Sequence, residues 1–299
     1  MASRADMDFV YSTIDRLFRA SVGETADFSG AKYDGDFSLT LEQAQRRKHD
    51  FIYDSLKLQP GQRILDMGCG WGPMLNYFRS RGLWGVGLTL SAGQARAGRK
   101  NGLEVHLMDC RTIEPNTFGS FDGVVSLGAF EHFCTPEDYL AGRQSEIYSD
   151  FFRRTAALLP EGGRFYLQTM VFGPRMIPHE QIDINAPRDS DSFMLARMGK
   201  QFPGSWLPYG MEQLVETSDP VFRLVSHSSG RADYIETIRQ WTSRIRGPGL
   251  RKRLLRLRLA PKYVLDRDFR HAVGHQGNAN VECFRRDLMD HFRLVLEKR

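Results

Sequence analysis

Three glycines at alternate positions, Gly68, Gly70 and Gly72, have the spacing in this chain that most suggests binding chemistry. They follow Asp66 and a short apolar stretch, and a helical pattern begins directly after them. A strand that turns through glycines into a helix presents backbone N–H groups and the positive helix end to a ligand. The spacing Asp-x-Gly-x-Gly-x-Gly differs from the Gly-x-Gly-x-x-Gly of dinucleotide enzymes. It therefore predicts a different binding loop, with a ligand-free strand–helix turn as the alternative.

Polar side chains also follow other apolar stretches. Thr89, Asp109 and Glu131 each lie at or just beyond the end of a predicted strand. Because ligands of parallel α/β sheets bind at the carboxyl ends of the strands, we expect these residues and the glycine loop to border one crevice. A helix cap is the alternative role for Asp109, and a carboxylate paired with a helix end is the alternative for Glu131.

Strands alternate with helices along most of the chain, which is typical of a parallel sheet covered on both faces. The predicted strands begin with the stretch around Ile64 and continue with Trp84–Leu90, Glu104–Met108, Asp122–Leu127, Arg164–Val171, Phe222–Ser228 and Phe292–Leu296. The predicted helices are Met7–Ala20, Leu41–Leu56, Met74–Arg81, Ala92–Lys100, Ser145–Leu158, Tyr234–Trp241 and Asn280–His291. The chain is thus expected to have an α/β fold.

The 299 residues are enough for one large core with appendages. We expect an N-terminal helical lid at residues 1–56 and a core at 57–299. The irregular stretch at about 172–216, rich in Pro, Met and Phe, is expected to cap the acceptor site. Thr40 is a predicted N-cap, with Gln43 completing a capping box.

Charge and cysteine content narrow the function classes. The four cysteines are scattered without metal-ligand spacing, so we expect no metal site. We expect them to be free thiols in a reducing compartment. The sequence contains no span-length apolar window and no secretory leader pattern, which predicts a cytoplasmic protein. Nine Lys or Arg residues and no acidic residue occur between Arg239 and Lys262. This basic segment suits an anionic membrane surface, an acyl carrier protein or a diphosphate, and a solvated basic face is the alternative. No nucleic-acid-binding signature accompanies it.

Several segments together carry a family resemblance. They are Phe28-Ser29-Gly30-Ala31-Lys32-Tyr33, Leu65-Asp66-Met67-Gly68-Cys69-Gly70-Trp71-Gly72, Gly87-Leu88-Thr89-Leu90-Ser91 with Gln94, Asp109-Cys110-Arg111, Ser126-Leu127-Gly128-Ala129-Phe130-Glu131-His132-Phe133 and Phe202-Pro203-Gly204-Ser205-Trp206-Leu207-Pro208. The chain resembles the cyclopropane fatty acid and mycolic acid cyclopropane synthases, a branch of the class I S-adenosylmethionine (SAM) methyltransferases. The resemblance implies a Rossmann-like, mostly parallel seven-stranded sheet.

The resemblance also implies the residues that bind SAM. The N-terminal loop would close over the cofactor, the glycine loop would hold its methionine end, and the ends of the second and third strands would hold the ribose and adenine. The implied cofactor residues are Phe28, Ser29, Asp66, Gly68, Gly70, Gly72, Thr89, Leu90, Gln94, Asp109 and Cys110.

The family adds a methyl group to an isolated carbon–carbon double bond, which leaves a carbocation that must lose a proton or capture water. The resemblance implies that Glu131 and Tyr234 help bind a bicarbonate ion used as the base, and a buried carboxylate such as Glu131 would also stabilise the cation. Gly30 stands where many members have cysteine, and Gln168 stands where many have histidine. Glutamine cannot take up a proton at neutral pH, which favours methyl addition with another fate for the cation over bicarbonate-based cyclopropanation. Bicarbonate is kept as a possible second ligand. Tyr33 is a further candidate for lining the site, and His132 is expected to pack or to contact a loop.

The acceptor is left open by the sequence. An unsaturated fatty acyl chain, giving a cyclopropane or a methyl branch, and a small isoprenoid diphosphate require the same cation chemistry. Methylation of nitrogen or oxygen in a small natural product, and a binding module without catalysis, are the remaining alternatives. The sequence predicts no oligomeric state.

Overall fold

A single seven-stranded sheet organises the structure, a computed structural model that describes residues 22–23, 25–247, 250–265 and 278–299. The strand order is β3-β2-β1-β4-β5-β7-β6, and β7 alone runs antiparallel to its neighbours, β5 and β6. The strands are β1 Arg63–Met67, β2 Trp84–Thr89, β3 Glu104–Leu107, β4 Gly123–Leu127, β5 Arg164–Phe172, β6 Phe222–Ser229 and β7 Met289–Lys298. The predicted α/β, mostly parallel seven-stranded sheet is confirmed.

Helices cover both faces because successive strand residues point to opposite sides. In β1, Ile64 packs with helix residues Ile52 and Phe78 on one face, while Leu65 packs in the larger core on the other. The helices are α1 Leu41–Ser55, α2 Pro73–Ser80, α3 Ala92–Lys100, α4 Pro115–Phe118, α5 Pro136–Leu140, α6 Gln144–Ala157, α7 Asp191–Gln201, α8 Gly210–Ser218, α9 Arg231–Arg246, α10 Leu250–Leu265 and α11 Asn278–Arg285.

The C-terminal boundary differs from the sequence prediction. The helix predicted to reach His291 ends at Arg285, and the final strand begins at Met289 instead of Phe292. Asp287 adopts the left-handed conformation (φ 59°), which ends the helical turn. β7 then pairs with β5 over nine residues. This long-range pairing, which a local pattern does not contain, places His291 in the sheet.

Other boundaries shift less. Helix α9 extends the predicted Tyr234–Trp241 helix in both directions, and the connection before α6 contains the short helix α5. The stretch at 172–216 contains α7 and α8, and its role as an acceptor cap stays a prediction.

Some predicted features lie outside the described residues. They include the helix Met7–Ala20, and with it most of the lid expected at residues 1–56. In the basic segment, residues 248–249 and the side chains of Arg251 and Lys252, among others, are likewise outside. Among the helices that the structure describes, none combines the length and the apolar character needed to cross a bilayer.

Helix α1 begins with the predicted capping box. The Thr40 hydroxyl accepts a hydrogen bond from the Gln43 amide at 3.2 Å, and the Gln43 side chain accepts one from the Thr40 amide at 2.8 Å. This cap satisfies two N–H groups that a helix start leaves open and fixes where α1 begins. The prediction is confirmed.

A buried ionic cluster joins α1 to the loop at residues 27–30. Asp27 accepts hydrogen bonds from Lys48 Nζ at 2.7 Å and from the Ser29 hydroxyl at 2.7 Å, and it lies 2.7 Å from His49 Nε2. Gln45 also donates to the Ser29 carbonyl at 2.9 Å. Burial opposes ionisation of Asp27, but Lys48 and His49 hold the pKa of its carboxyl well below the usual value. The loop is therefore fixed by charge inside the protein.

We expect Asp27→Asn to cost about 3–5 kcal/mol of unfolding free energy, because it leaves the fully buried Lys48 ammonium without its carboxylate. Asp150→Asn is the matched control, since Asp150 forms an exposed pair with Arg154 worth less than about 1 kcal/mol. Urea denaturation of both variants measures the difference. Equal losses in the two variants would show that the buried cluster does not stabilise the fold.

Candidate active site

A cavity of about 240 Å³ opens at the carboxyl ends of β1, β2, β4 and β5. A single water needs only about 10–15 Å³ of such space, so this cavity can take a ligand of many atoms. Its lining includes most of the residues predicted for cofactor binding and catalysis: Phe28, Ser29, Asp66, Gly68, Gly70, Thr89, Leu90, Gln94, Asp109, Cys110, Glu131, Gln168 and Tyr234. The structure thus brings together residues that are far apart in the sequence.

The glycine loop presents backbone to this cavity. Gly68 (φ 90°) and Gly70 (φ 54°) are in the left-handed region that side chains disfavour. A Cβ at Gly68 would lie 2.5 Å from the Cβ of Ala129, so no larger residue fits there. Gly72 (φ 82°) instead caps the start of α2 outside the cavity lining, and a Cβ there would meet Leu103. Two of the three glycines therefore form the cradle, and the third shapes the turn behind it.

The ends of β2 and β3 supply hydrogen-bonding groups on the next side of the cavity. The Thr89 hydroxyl donates to Gln94 Oε1 at 2.8 Å, which orients the glutamine amide. Asp109 accepts from the Arg111 amide at 2.9 Å and pairs with the Arg111 guanidinium at 2.6 Å. Burial opposes ionisation, but these bonds lower the pKa of Asp109. Asp109 therefore caps the short turn after β3 and also lines the cavity.

The N-terminal loop closes the cavity from the opposite side. The ring of Phe28 stacks on Trp241 of α9, with centroids 4.5 Å apart and planes at 20°. Ser29 is fixed by the buried ionic cluster described above. Both residues lie at the cavity, as predicted. Packing against α9 holds Phe28 there, and the ionic cluster with α1 holds Ser29.

Asp66 is a buried carboxylate at the cavity with an unsatisfied oxygen. Its Oδ1 has no hydrogen-bond partner among the described residues. Burial and, to a smaller extent, the nearby Asp27 charge raise the pKa of Asp66 to about 8 against the opposing effect of Lys48. An orphaned carboxylate beside a cavity fits a ligand that carries a positive charge, as the ammonium of SAM does.

Glu131 is the second carboxylate of this kind. Its Oε1 accepts a hydrogen bond from the Met170 amide at 2.9 Å, and its buried Oε2 has no partner in the part of the chain that the structure describes. Burial raises the pKa of Glu131 to about 7, against the lowering effect of the Met170 bond. A small change in environment can therefore switch this carboxyl between its acid and its carboxylate form near neutral pH.

Gln168 and Tyr234 lie at the cavity as predicted, whereas Tyr33 does not. Gln168 donates to the Gly30 carbonyl at 2.9 Å and accepts from the Tyr166 hydroxyl at 3.3 Å, so both ends of its amide are occupied. Tyr33 is fully buried outside the cavity lining, beside Phe37 with ring centroids 5.8 Å apart. Its large ring is packed in the core beneath the loop and not in the cavity wall.

Sequence reasoning missed other lining residues. His132 donates to or accepts from the Ser205 hydroxyl at 2.8 Å, a loop contact, but it also lines the cavity. His291, Gln201 and Asn280 line it as well. His132, directly after Glu131 in the same motif, and Trp241, seven residues after Tyr234 on one helix, left a signal in the sequence. The others come from segments whose placement depends on the fold.

Comparison with known proteins identifies the family. The family model for mycolic acid cyclopropane synthetase matches residues 2–249. The chain belongs to this family. It is 31% identical to the hydroxymycolate synthase MmaA4 of Mycobacterium tuberculosis, over 79% of this chain and 76% of the relative. It is 30% identical to cyclopropane mycolic acid synthase 2 of Mycobacterium leprae, over 78% and 77%.

A solved structure supports the same assignment. The crystal structure of the mycolic acid cyclopropane synthase CmaA1, complexed with SAH and CTAB, superposes with a TM-score of 0.77 at 27% identity and covers 99% of this chain and 98% of that one. This family member is therefore a SAM-dependent methyltransferase, and SAM is its cofactor. The predicted family, enzyme class and cofactor are confirmed.

We expect Glu131→Gln to raise the free energy of unfolding relative to wild type more at pH 8 than at pH 4.5. A carboxyl whose folded pKa is about 7 and whose unfolded pKa is 4.5 destabilises the fold increasingly between pH 4.5 and pH 7, because the unfolded chain ionises more readily. This cost is fully present above pH 7, at about 3 kcal/mol, and is small at pH 4.5. Urea denaturation at both pH values measures it, with Glu146→Gln on α6 as an exposed control. A variant equally stable relative to wild type at both pH values would contradict the raised pKa.

Proposed function

We propose that this enzyme methylates an isolated carbon–carbon double bond in an unsaturated fatty acyl chain and gives a cyclopropane or a methyl branch. The observation that supports this most directly is the buried carboxylate of Glu131 in the same cavity as the glycine loop. An alkene needs no base before it reacts, but the cation that methylation leaves on it requires a nearby negative charge. The lining offers such a charge at Glu131.

The cofactor residues have separate tasks in this proposal. When bound, SAM supplies an electrophilic methyl group on a sulfonium centre. The backbone of Gly68 and Gly70 would lie against its methionine part, with the Asp66 carboxylate beside the ammonium. Thr89 and Gln94 would hydrogen-bond the ribose, and Asp109 would face the adenine. The loop that carries Phe28 would exclude water.

Glu131 has two properties that suit cation stabilisation. Its Oε1 is oriented by the Met170 amide, so the carboxyl does not need to reorganise during the reaction. It is buried away from water, and Coulomb attraction is stronger in such an environment than in water. Glu131 is therefore placed to stabilise positive charge on the acceptor, with Tyr234 and Gln168 bordering the same space.

The rest of the lining favours a hydrocarbon acceptor. Ala129, Phe133, Met170, Phe202 and Ile238 contribute apolar surface to the cavity. An isoprenoid diphosphate, the alternative acceptor, would need cationic partners. The Arg111 guanidinium in the lining is already engaged by both oxygens of Asp109, so a diphosphate would have to displace that carboxylate.

Delivery of the acceptor is a further part of the proposal. Helix α10 exposes apolar side chains, among them Leu254 and Leu257 within the basic segment and Leu265 just after it. Such a helix suits a contact with an anionic membrane surface or an acyl carrier protein. Both contacts, and a cytoplasmic location, stay predictions.

We expect SAM binding at pH 7 to release protons, and Asp66→Asn to reduce that release and weaken binding. Asp66 is largely protonated at pH 7 because burial raises its pKa to about 8, and an ammonium beside it favours the carboxylate. Calorimetry in buffers of different ionisation enthalpy measures the number of protons. Glu131→Gln is the comparison, because Glu131 also titrates near pH 7. Unchanged proton release in Asp66→Asn would exclude Asp66 as the ammonium partner.

We expect methyl incorporation from methyl-labelled SAM into dioleoyl phosphatidylglycerol vesicles and none into geranyl diphosphate. The apolar lining and the occupied Arg111 favour the acyl chain. Mass spectrometry of the released fatty acids distinguishes a cyclopropane from a methyl branch. Distearoyl vesicles, which lack a double bond, are the control. Incorporation into geranyl diphosphate alone would overturn the proposed acceptor.

A further inference from the structure

A histidine that the sequence pattern placed in a helix lies in the active-site cavity. His291 is in β7, directly opposite Met170 of β5. The Met170 amide is the group that orients Glu131. His291, Glu131 and Met170 all line the same cavity. Met170 therefore links the two groups, because the His291 imidazole lies opposite it in the sheet and its amide binds the Glu131 carboxylate.

The surroundings of the His291 ring fix its orientation. The ring stacks on Tyr234, with centroids 4.6 Å apart and planes at 20°. Its Nε2 edge faces the cavity-lining Gly30, where a Cβ would lie 3.3 Å from Nε2 and 3.0 Å from Cε1. Its other edge faces Gly230, where a Cβ would lie 2.5 Å from Nδ1. Two glycines thus make room for this ring, and a cysteine at position 30 would press on it.

The His291 ring is unprotonated and can therefore accept a proton. Its Nδ1 is buried and has no hydrogen-bond partner among the described residues. Burial lowers the pKa of the imidazole well below its usual value, and the charges of Arg293 and Lys48 lower it further. The ring is therefore neutral at pH 7, and in the tautomer that carries its proton on Nδ1 the Nε2 atom has the lone pair that a proton acceptor requires.

Neighbouring side chains are less suited to the same task. The Gln168 amide cannot accept a proton at neutral pH and is occupied at both ends. His132, in the same short turn as Glu131, is tied to the Ser205 hydroxyl through Nδ1. Glu131 must keep its negative charge to stabilise a cation. Proton loss from the acceptor therefore requires a base other than these three side chains, and His291 lines the same cavity.

We propose that His291 Nε2 accepts the proton that the acceptor loses after methylation. This inference rests on the proposed function. Methylation breaks the sulfur–methyl bond, whose electron pair stays on sulfur, and forms a new carbon–carbon bond from the alkene pair. A C–H bond then breaks. If it belongs to the newly added methyl group, its electron pair closes a cyclopropane ring, and if it belongs to a carbon next to the cation, its electron pair forms a new double bond. In both cases the proton goes to Nε2 and afterwards to water.

The proposal separates the two titratable groups into two roles. Glu131 stabilises charge, and His291 takes the proton. A bicarbonate ion is then not needed as the base, which agrees with the glycine and glutamine at positions 30 and 168.

The first test compares His291→Gln with His227→Gln, the same substitution on the solvent side of the neighbouring strand β6. With dioleoyl phosphatidylglycerol vesicles and labelled SAM, we expect kcat to fall by about 100-fold or more in His291→Gln only, with SAH affinity unchanged. Wild-type activity is expected to persist in bicarbonate-free buffer. A kcat within twofold of wild type, a requirement for added bicarbonate, or a comparable loss in His132→Gln alone would overturn the proposal.

A second readout does not depend on turnover. In protein labelled at histidine ¹³Cε1, the resonance missing from His291→Gln identifies the ring. We expect this resonance to shift when SAH and hexadecyltrimethylammonium are added together, since the ammonium mimics the cation, whereas the His227 resonance stays in place. If wild type methylates no alkene, the proposed function fails, and this titration alone decides the position of His291: an unmoved resonance would overturn it.

Discussion

Burying a carboxylate away from water is costly, and this enzyme buries two at its cavity without satisfying them fully. Asp66 and Glu131 each keep one oxygen without a partner among the described residues, and burial raises the pKa of both. Such groups gain most when a positive charge enters the cavity. A cavity of this kind is suited to cationic ligands and cationic reaction states, and the sheet, the helices and the N-terminal loop together maintain it.

The same residue type behaves differently where the charge is compensated internally. Asp27 is as buried as Asp66, but Lys48, His49 and Ser29 surround it, and its pKa is held low. This closed cluster fixes the loop over the cavity. The carboxyl groups of Asp66 and Glu131, which line the cavity, remain available for binding and catalysis. Because Asp27 also raises the pKa of Asp66, closure of the loop and the charge state of the site are linked.

The antiparallel pairing of β5 with β7 gives this family member its particular cavity. Gln168 and Met170 face the cavity from β5, and His291 joins them from β7. Gly30 leaves space for the imidazole from the opposite loop. Three residues from different segments therefore belong to one arrangement: Gly30, Gln168 and His291.

Local patterns in the sequence were sufficient for much of the fold and for the cofactor side of the site. Apolar strands, glycines with positive φ and the Thr40 capping box depend on neighbours a few residues away, so the residues themselves predicted them. The position of Glu131 followed for the same reason, because it comes directly after a strand. Family resemblance added the cofactor and the enzyme class.

Tertiary structure alone decided what depends on distant segments. A helical pattern predicted that His291 ends a helix, but pairing with β5 outweighed the local propensity and placed it in a strand at the cavity. The Asp27–Lys48–His49 cluster joins a loop to a helix through side chains that look like ordinary surface charges in the sequence. Tyr33 lies in the core instead of the site because the loop turns its ring inward. The physical reason is common to all three: their energies come from contacts between parts of the chain that only folding brings together.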